Sequence, residues 1–445
     1  MSTSTILHAR PHGPSGHRAG IGALVLVLTV AAACQVGEAE GPPTNSSAVG
    51  PETGELQAFT GARIFDGTGS PWIEDGVLLV EDGIVRATGP AQEVDVPPEA
   101  QVIDLEGRWL IPGLVNAHGH SGGDREAVLQ QLETYGHYGV TTVVSLGGDT
   151  DDGVQVRDEQ WSPGLDRARL FVAGPVINPG SPEEAREDVA ALAAMDVDWV
   201  KFRVDDFLGQ AEKMAPEVYE TIIHEARERN LPVAVHIYQL EDAKGVVEAG
   251  ADVVAHSVRD GPVDQELIDL LVDREVCYTP TLMREVSTFV YAERPEFFDD
   301  PFFLERADPE VIADLEDPET QAEYRESSGA QFWREALPVA EENMVRLHDA
   351  GVPVAMGTDT GPYGRFQGYF EHLELERMVN AGMTPVDVLL STTGQAAACM
   401  GLGGIVGTLE PGAWADFLVL DGDPTQDILN TRELHGVWIA GNQVR

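Results

Sequence analysis

The sequence predicts an α/β protein, a (β/α)8 TIM-like barrel with a small β-sandwich built from both ends of the chain. Through the middle of the chain, short apolar runs alternate with amphipathic helical stretches. At both ends, β-rich runs are separated by turn residues instead. Metal-ligating side chains follow several of the central runs, as expected where parallel strands end at one face of a barrel.

Composition allows a large buried core and excludes one class of partner. The chain has 445 residues, of which 43% are hydrophobic. It carries 75 acidic and 28 basic residues, for a formal net charge of −47. Such a surface repels nucleic acid and anionic lipid headgroups. We therefore expect no nucleic-acid partner, while a small-molecule substrate and an oligomer are both compatible with the sequence.

The first residues are typical of an export signal. A weakly basic stretch precedes an apolar run over 21–30, which Ala31, Ala32, Ala33 and Cys34 follow. Small residues directly before a cysteine resemble a bacterial lipoprotein processing site. Residues 1–34 are thus predicted to be a signal peptide with Cys34 lipidated, which places the protein in the cell envelope or periplasm, attached to the membrane only by this anchor. The alternative is ordinary cleavage after Ala-x-Ala.

A linker and an accessory sheet are predicted next. Residues 35–55 are rich in Gly, Pro, Ser and Glu, which favours a flexible linker. Residues 56–108 alternate β-rich runs with Asp-Gly turns, and similar runs return over 404–445. These two ends should form the β-sandwich around a barrel that spans 109–403. Cys277 and Cys399 are compatible with a disulfide, which nothing in the sequence requires.

Eight strand candidates recur through the barrel region, with amphipathic stretches such as 216–229 and 240–249 between them. The predicted strands are 109–116, 142–146, 170–174, 199–204, 233–237, 253–256, 276–279 and 354–356. The longest connection, 284–331, follows the seventh candidate and is acidic and aromatic. It would overhang the mouth of the barrel, either as a lid over substrate or as surface packing.

The apolar run that contains the first candidate strand ends in His118-Gly119-His120, and residues two apart in an extended chain share a face. Both imidazoles can therefore aim at one metal ion. Further ligand types follow other candidate strands: Lys201, His236, His256 and Asp359. Lys201 stands out because the chain has only two other lysines, Lys213 and Lys244, both in polar helical stretches.

Five segments together resemble the amidohydrolase superfamily, in the branch of imidazolonepropionase-like proteins and metal-dependent prolidases. The segments are Pro112 to His120, Val235-His236, Ala255-His256, Gly357-Thr358-Asp359 and Gly407 to Asp416. The resemblance covers nearly everything after residue 56. It departs from the branch after Lys201, where relatives often have glycines and this chain has Phe202-Arg203-Val204-Asp205-Asp206.

The resemblance implies that His118, His120 and Asp359 hold one divalent ion and that His236 and His256 hold a second. Lys201, carboxylated by carbon dioxide, would bridge the two. Zinc suits these ligands, with manganese, cobalt or iron as substitutes. Imidazolonepropionase itself uses one ion, so the number of ions rests on Lys201.

The implied activity is hydrolysis of a C–N bond in a dipeptide, an N-acyl amino acid or a cyclic amide. A metal-activated hydroxide would attack the carbonyl while Asp359 shuttles the proton. Arg203 and Tyr238 share strand faces with proposed ligands and could bind substrate, and His372 matches a histidine that the branch carries after strand eight. Structural roles are equally open for Arg203 and Tyr238. The alternatives are a lactone or phosphoester hydrolase and a non-catalytic, metal-holding lipoprotein that binds solutes.

Overall fold

The computed structural model describes residues 56–206 and 208–445. The predicted signal peptide, Cys34 and the linker lie outside these residues. In chain order the strands are β1 (Leu56–Ile64), β2 (Ile73–Glu81), β3 (Ile84–Pro90), β4 (Gln101–Asp104), β5 (Trp109–Pro112), β6 (Leu114–Gly119), β7 (Val140–Ser145), β8 (Arg169–Val172), β9 (Val200–Arg203), β10 (Val233–His236), β11 (Val253–Ala255), β12 (Cys277–Thr279), β13 (Phe417–Leu420), β14 (Leu434–Ile439) and β15 (Asn442–Gln443).

Helices occupy most of the connections between the central strands. They are α1 (Arg125–His137), α2 (Asp151–Asp158), α3 (Pro182–Ala194), α4 (Pro216–Arg227), α5 (Leu240–Ala249), α6 (Gln265–Asp273), α7 (Leu282–Ser287), α8 (Pro301–Leu304), α9 (Pro309–Leu315), α10 (Pro318–Glu326), α11 (Ser328–Asp349), α12 (Tyr369–Ala381), α13 (Pro385–Ser391) and α14 (Gly394–Cys399). Short 3-10 helices cover Val290–Ala292, Glu296–Asp299 and Ile428–Arg432. Within the described residues, no helix is both long and apolar enough to cross a membrane.

The central strands form two parallel sheets. Strands β6, β7 and β8 make one sheet, and β9, β10, β11 and β12 make the other. Isolated β-bridges continue the pairing at the edges of both sheets. Ile177, which follows β8, pairs with Phe202 of β9. In the segment after α11, Val354 pairs with Tyr278 of β12, and Thr360 pairs with Gly119 of β6. The arrangement is TIM-barrel-like, as predicted. Its eighth position differs from the prediction, because residues 354–356 contribute only the bridge at Val354 rather than a strand.

Both ends of the chain meet in one eight-stranded accessory sheet, in the order β15-β14-β13-β5-β1-β2-β3, with β4 beside β1. Its core includes Phe59, Leu110, Phe417 and Trp438. The shared sheet agrees with the sequence, whereas the second layer of a sandwich and the boundaries at 109 and 404 stay predictions.

The predicted first barrel strand, 109–116, is wrong as a single strand. It divides at Gly113, so that β5 pairs with β1 and β13 in the accessory sheet while β6 pairs with β7. A Cβ atom at Gly113 would lie 2.0 Å from Thr141 Oγ1, which excludes any side chain there. The Gly113 N–H donates to the carbonyl of Asp416, and Asp416 also forms a buried ion pair with Arg169 of β8 at 2.6 Å. The accessory sheet and the ligand-bearing strand are therefore directly connected.

Cys277 at the start of β12 and Cys399 at the end of α14 form a disulfide, with a Cα–Cα distance of 5.7 Å. The two cysteines are 122 residues apart. Disulfides persist in oxidising compartments, so the bond is consistent with the predicted export. It also closes a long loop of the unfolded chain.

Removing this disulfide is expected to lower the free energy of unfolding by about 2–5 kcal/mol, because the unfolded chain regains the entropy of an open loop. Urea titration of the oxidised protein and of the Cys277→Ala/Cys399→Ala variant measures the difference. Reductant should destabilise the parent protein and leave the double variant unchanged. Equal stability of the two proteins would contradict the expectation.

Candidate metal centre

The end of β6 and the segment after residue 356 bring three candidate ligands together. The ligand atoms of His118, His120 and Asp359 all lie within 4.8 Å of one another. His120 Nε2 is 2.6 Å from Asp359 Oδ1, and His118 Nε2 is 3.7 Å from the same oxygen. A single divalent ion could accept all three ligand atoms after small side-chain adjustments.

The other three predicted ligands lie beside this group. Lys201 Nζ, from β9, is 3.3 Å from His118 Nε2. The ring of His256 is centred 4.6 Å from that of His118 and 4.1 Å from that of His236. Residues from β6, β9, β10 and the turn after β11 thus converge at one end of the parallel sheets, as the predicted carboxyl-end site requires.

Three of the histidines also form outer hydrogen bonds, that is, bonds from the ring nitrogen that would not bind the metal, as metal-binding imidazoles usually do. His120 Nδ1 donates to the carbonyl of Gly147 at 2.7 Å, and His256 Nδ1 lies 2.7 Å from Thr281 Oγ1. His236 Nε2 donates to Asp205 Oδ2 at 2.9 Å. Each contact engages one ring nitrogen, and the second nitrogen faces the ligand group, as in His120, whose Nε2 faces Asp359. The buried His118 Nδ1 has no hydrogen-bond partner within 56–206 and 208–445.

Burial sets the protonation states that metal binding requires. It lowers the pKa of His118 and His256 well below the ordinary value and that of His236 to about 4. All three imidazoles are therefore neutral at pH 7. Burial also lowers the pKa of Lys201 to about 7. A substantial fraction of this amine is then uncharged, which is the form that reacts with carbon dioxide.

Asp359 remains ionised in spite of its burial. Burial opposes its charge, but Arg365, His120 and His118 hold the pKa of this carboxyl well below the usual range. Arg365 Nη1 lies 2.5 Å from Asp359 Oδ2, while the other carboxylate oxygen faces His120. One oxygen is thus held by an arginine and the other is turned toward the ligand group. The donor set fits a divalent metal.

Glu371, from α12, connects the strand that carries His118 with the segment that carries Asp359. Its Oε1 accepts hydrogen bonds from Asn116 at 2.6 Å, Thr358 at 2.8 Å and Thr360 at 2.7 Å. Asn116 in turn accepts the backbone N–H of His118. Asp359, between the two threonines, has a φ of +60°, a strained conformation for a side chain of this kind. The buried network therefore supports a conformation that a free loop would avoid.

Sequence reasoning missed Arg284 and Arg365, the arginines nearest Asp359. Arg284 Nε is 3.9 Å from Asp359 Oδ2, and Glu285 pairs with Arg284 at 2.6 Å and with Arg259 at 2.9 Å. Arg284 and Arg259 also stack on Trp333, at 4.5 and 4.6 Å from its ring centroid. No spacing rule links these residues, since they come from separate connections, so only the folded chain could show them.

The predicted substrate residues Arg203 and Tyr238 lie at the edge of the group. Arg203 Nε is 3.4 Å from Asp205 Oδ1, and His236 contacts the other oxygen of the same carboxylate. The Tyr238 hydroxyl donates to Asp206 at 3.4 Å, and its ring packs edge-on against Trp333. Both side chains already have acidic partners, so their predicted contact with substrate stays a prediction.

His372 is placed differently from the substrate-binding role predicted for it. It is 1% exposed, Nε2 donates to the carbonyl of Tyr138 at 2.8 Å, and Nδ1 lies 3.0 Å from Thr431 Oγ1. With both ring nitrogens engaged by the fold, neither is left for substrate. The contacts instead tie α12 to the end of α1 and to the segment before β14.

Acid is expected to destabilise the protein partly through His372. Burial lowers its pKa to about 3, so between about 6.5 and 3 the unfolded chain binds a proton that the folded chain does not. Its contribution to stability is present above pH 6.5 and is lost as the pH falls, at about 1.4 kcal/mol per pH unit. Urea titrations between pH 7 and 4 should show a shallower pH slope for His372→Gln than for the parent. Parallel slopes would contradict this assignment.

The long connection predicted at 284–331 is mostly helical, from the end of α7 through α10 into the start of α11. Its residues help to line a cavity of about 540 Å³ that reaches Arg365, with Ser287, Asp314, Tyr324, Ser327 and Tyr363 among the lining residues. Arg365 also donates to Ser287 at 3.0 Å. The connection therefore lies beside Arg365, the ion-pair partner of Asp359, and its role as a lid stays a prediction.

Comparison with known proteins assigns the family. The profile of the amidohydrolase family matches residues 109–444, and the chain belongs to this family. It is therefore a hydrolase that acts on carbon–nitrogen bonds. It is 25% identical over 396 residues to the imidazolonepropionase of Geobacillus kaustophilus, covering 78% of this chain and 84% of that protein. It is 28% identical over 402 residues to that of Deinococcus radiodurans, with coverage of 84% and 92%.

Solved structures support the same fold. A Xaa-Pro dipeptidase with bound methionine in its active site has a TM-score of 0.70 at 19% identity, covering 87% of this chain and 99% of the other. Molinate hydrolase has a TM-score of 0.69 at 22% identity, with coverage of 88% and 95%. At these identities the similarity establishes the TIM-barrel-like fold and leaves the substrate open.

Proposed function

We propose that this protein is a two-metal hydrolase that cleaves an amide C–N bond in a small substrate bearing a carboxylate. The convergence of four histidines, Lys201 and Asp359, with outer partners on His120, His236 and His256, carries the proposal. His118, His120 and Asp359 would hold one ion and His236 and His256 a second. A carboxylated Lys201 would bridge them.

The bound ions, zinc in our proposal, would supply Lewis acidity and lower the pKa of water. The protein's own residues supply the proton chemistry. Asp359 is ionised, and its Oδ1 faces His120, so it can accept a proton during attack and return it to the leaving nitrogen. Arg365 pairs with the opposite oxygen, Oδ2, and so limits how the carboxylate can turn.

Three arginines around the site support the proposal that the substrate carries a carboxylate. Arg203, Arg284 and Arg365 all lie beside the acidic residues Asp205 and Asp359. Guanidinium groups bind carboxylates through paired hydrogen bonds. Dipeptides, N-acyl amino acids and cyclic amides with an acidic side group therefore remain the substrate classes we propose. The disulfide agrees with the further proposal that the protein works in the cell envelope, exported and anchored at Cys34.

The test is a substrate panel on the full chain loaded with zinc. We expect cleavage of dipeptides, N-acyl amino acids or cyclic amides, and slower or no cleavage of the matching compounds that lack the carboxylate. Preference for lactones or phosphotriesters would replace the proposed bond with an ester. Tight binding of solutes without turnover of any of them would contradict an enzymatic role.

A further inference from the structure

We infer that Asp205 is a positioning residue for the second ion, which it serves by fixing the ring nitrogen that His236 presents. Asp205 belongs to the segment that follows β9. Asp205 is 4% exposed, and its carboxylate accepts a hydrogen bond from His236 Nε2 at 2.9 Å. The inference rests on the proposed two-metal function.

The backbone brings the two residues together. In the parallel pairing of β9 with β10, His236 lies opposite Arg203, and the N–H of Val204 donates to the carbonyl of His236. Asp205 follows directly and turns its carboxylate onto the imidazole. The second oxygen, Oδ1, is 3.4 Å from Arg203 Nε, so the carboxylate is held from both sides.

The hydrogen bond from His236 to Asp205 determines which ring nitrogen of His236 can bind a metal ion. A carboxylate accepts hydrogen bonds, so the proton of the neutral imidazole must lie on Nε2. Nδ1 is then left as the ligand atom. His120 and His256 use the reverse arrangement, in which Nδ1 meets Gly147 or Thr281 and Nε2 is left for metal. Among the histidines with such outer partners, His236 is the one whose partner is a carboxylate.

A carboxylate partner has a larger effect on the metal than a carbonyl or a hydroxyl. It makes the imidazole a stronger donor to the ion and brings a negative charge close to two cations. Losing such a partner typically weakens metal binding about 10–100-fold. We therefore assign to Asp205 a specific effect on the affinity for the ion on the His236 side, with little effect on the ion held by His118, His120 and Asp359.

The experiment uses the full chain and its Asp205→Asn and Asp205→Ala variants, titrated with Zn²⁺ against a chromophoric chelator. One of the two binding steps should weaken about 10–100-fold in both variants while the other is retained. Asp206→Asn is the matched control, since it removes a neighbouring acidic charge that contacts Tyr238 rather than a proposed ligand. This control should leave both steps unchanged.

A second readout needs neither metal nor substrate. Nitrogen-15 NMR of the metal-free protein, with His236 assigned by its absence in His236→Ala, should show the proton on Nε2. In Asp205→Ala this tautomer preference should be reduced. Unchanged affinities together with an unchanged tautomer would overturn the inference. Complete loss of one ion in Asp205→Asn, equal to that in His236→Ala, would also overturn it and make Asp205 a direct ligand.

The experiments separate a failure of the role assigned to Asp205 from a failure of the proposed hydrolytic function. If the wild-type protein binds two ions and has the expected tautomer yet cleaves no amide, the hydrolytic proposal fails and the role of Asp205 stands. If amides are cleaved while Asp205 variants bind both ions as the parent does, only the positioning role fails.

Discussion

Asp359→Asn is expected to lose about 10²–10⁴-fold in turnover while most of the bound metal remains. An amide oxygen can still bind an ion, but an amide cannot take up and return a proton at the pH of the reaction. In the structure the carboxylate is ionised and lies 2.6 Å from His120, and Arg365 holds its far side. The effect should therefore fall on kcat far more than on metal content.

Steady-state kinetics and metal analysis on the same preparations test this expectation. Asp421→Asn is a suitable control, because this aspartate lies on the accessory sheet and pairs with Arg108 at the surface. It should behave like the parent protein. Turnover of Asp359→Asn within a few-fold of wild type would remove Asp359 from proton transfer. Loss of metal and activity together would make it chiefly a ligand.

Lys201→Ala is expected to lower the metal content from about two ions per chain to about one and to reduce turnover by about 10²-fold or more. Lys201 is the only one of the three lysines within the ligand group, at 3.3 Å from His118 Nε2. Its burial favours the uncharged amine that forms a carbamate. In the proposed two-metal centre, removing it would take away the group that bridges the two ions.

Lys213→Ala provides the matched control. Lys213 is partly exposed and pairs with Asp242 at 2.9 Å, so it should keep its metal and its activity. Adding bicarbonate during metal loading should raise the metal content of the parent and of Lys213→Ala but not that of Lys201→Ala. One ion per chain in the parent, unaffected by Lys201→Ala, would contradict the bridged centre.

Much of the fold could be predicted because the parallel strands are buried on both faces and therefore form apolar runs. Helices α4 and α5 were also predicted, from their amphipathic pattern. The change from one sheet to the other at Gly113 could not be predicted, since Trp109–Pro112 is apolar and Leu114–Gly119 also begins with apolar residues. Nothing local indicates that the first run pairs with β1 and β13 while the second pairs with β7.

The candidate site, too, could be predicted only in part from the sequence. The grouping of His118, His120, Lys201, His236, His256 and Asp359 could be predicted because each follows the end of an apolar run, a position that sequence can show. Their role as metal ligands stays a prediction. The residues that orient them are harder to find, because Asp205, Glu371 and Arg365 act through contacts between distant segments. His372 illustrates the converse error: a resemblance suggested contact with substrate where the fold uses both ring nitrogens.

The connection at Gly113 means that the catalytic barrel is not a separable module. Asp416 accepts the Gly113 N–H and neutralises the buried Arg169, yet it lies outside residues 109–403. A barrel excised at those boundaries would leave the Arg169 guanidinium buried without its carboxylate, at a cost of about 3–5 kcal/mol. We therefore expect a chimaera of two relatives to keep this buried pair only when both parts come from the same protein, because β6, which carries His118, begins directly after the residue at which β5 leaves the accessory sheet.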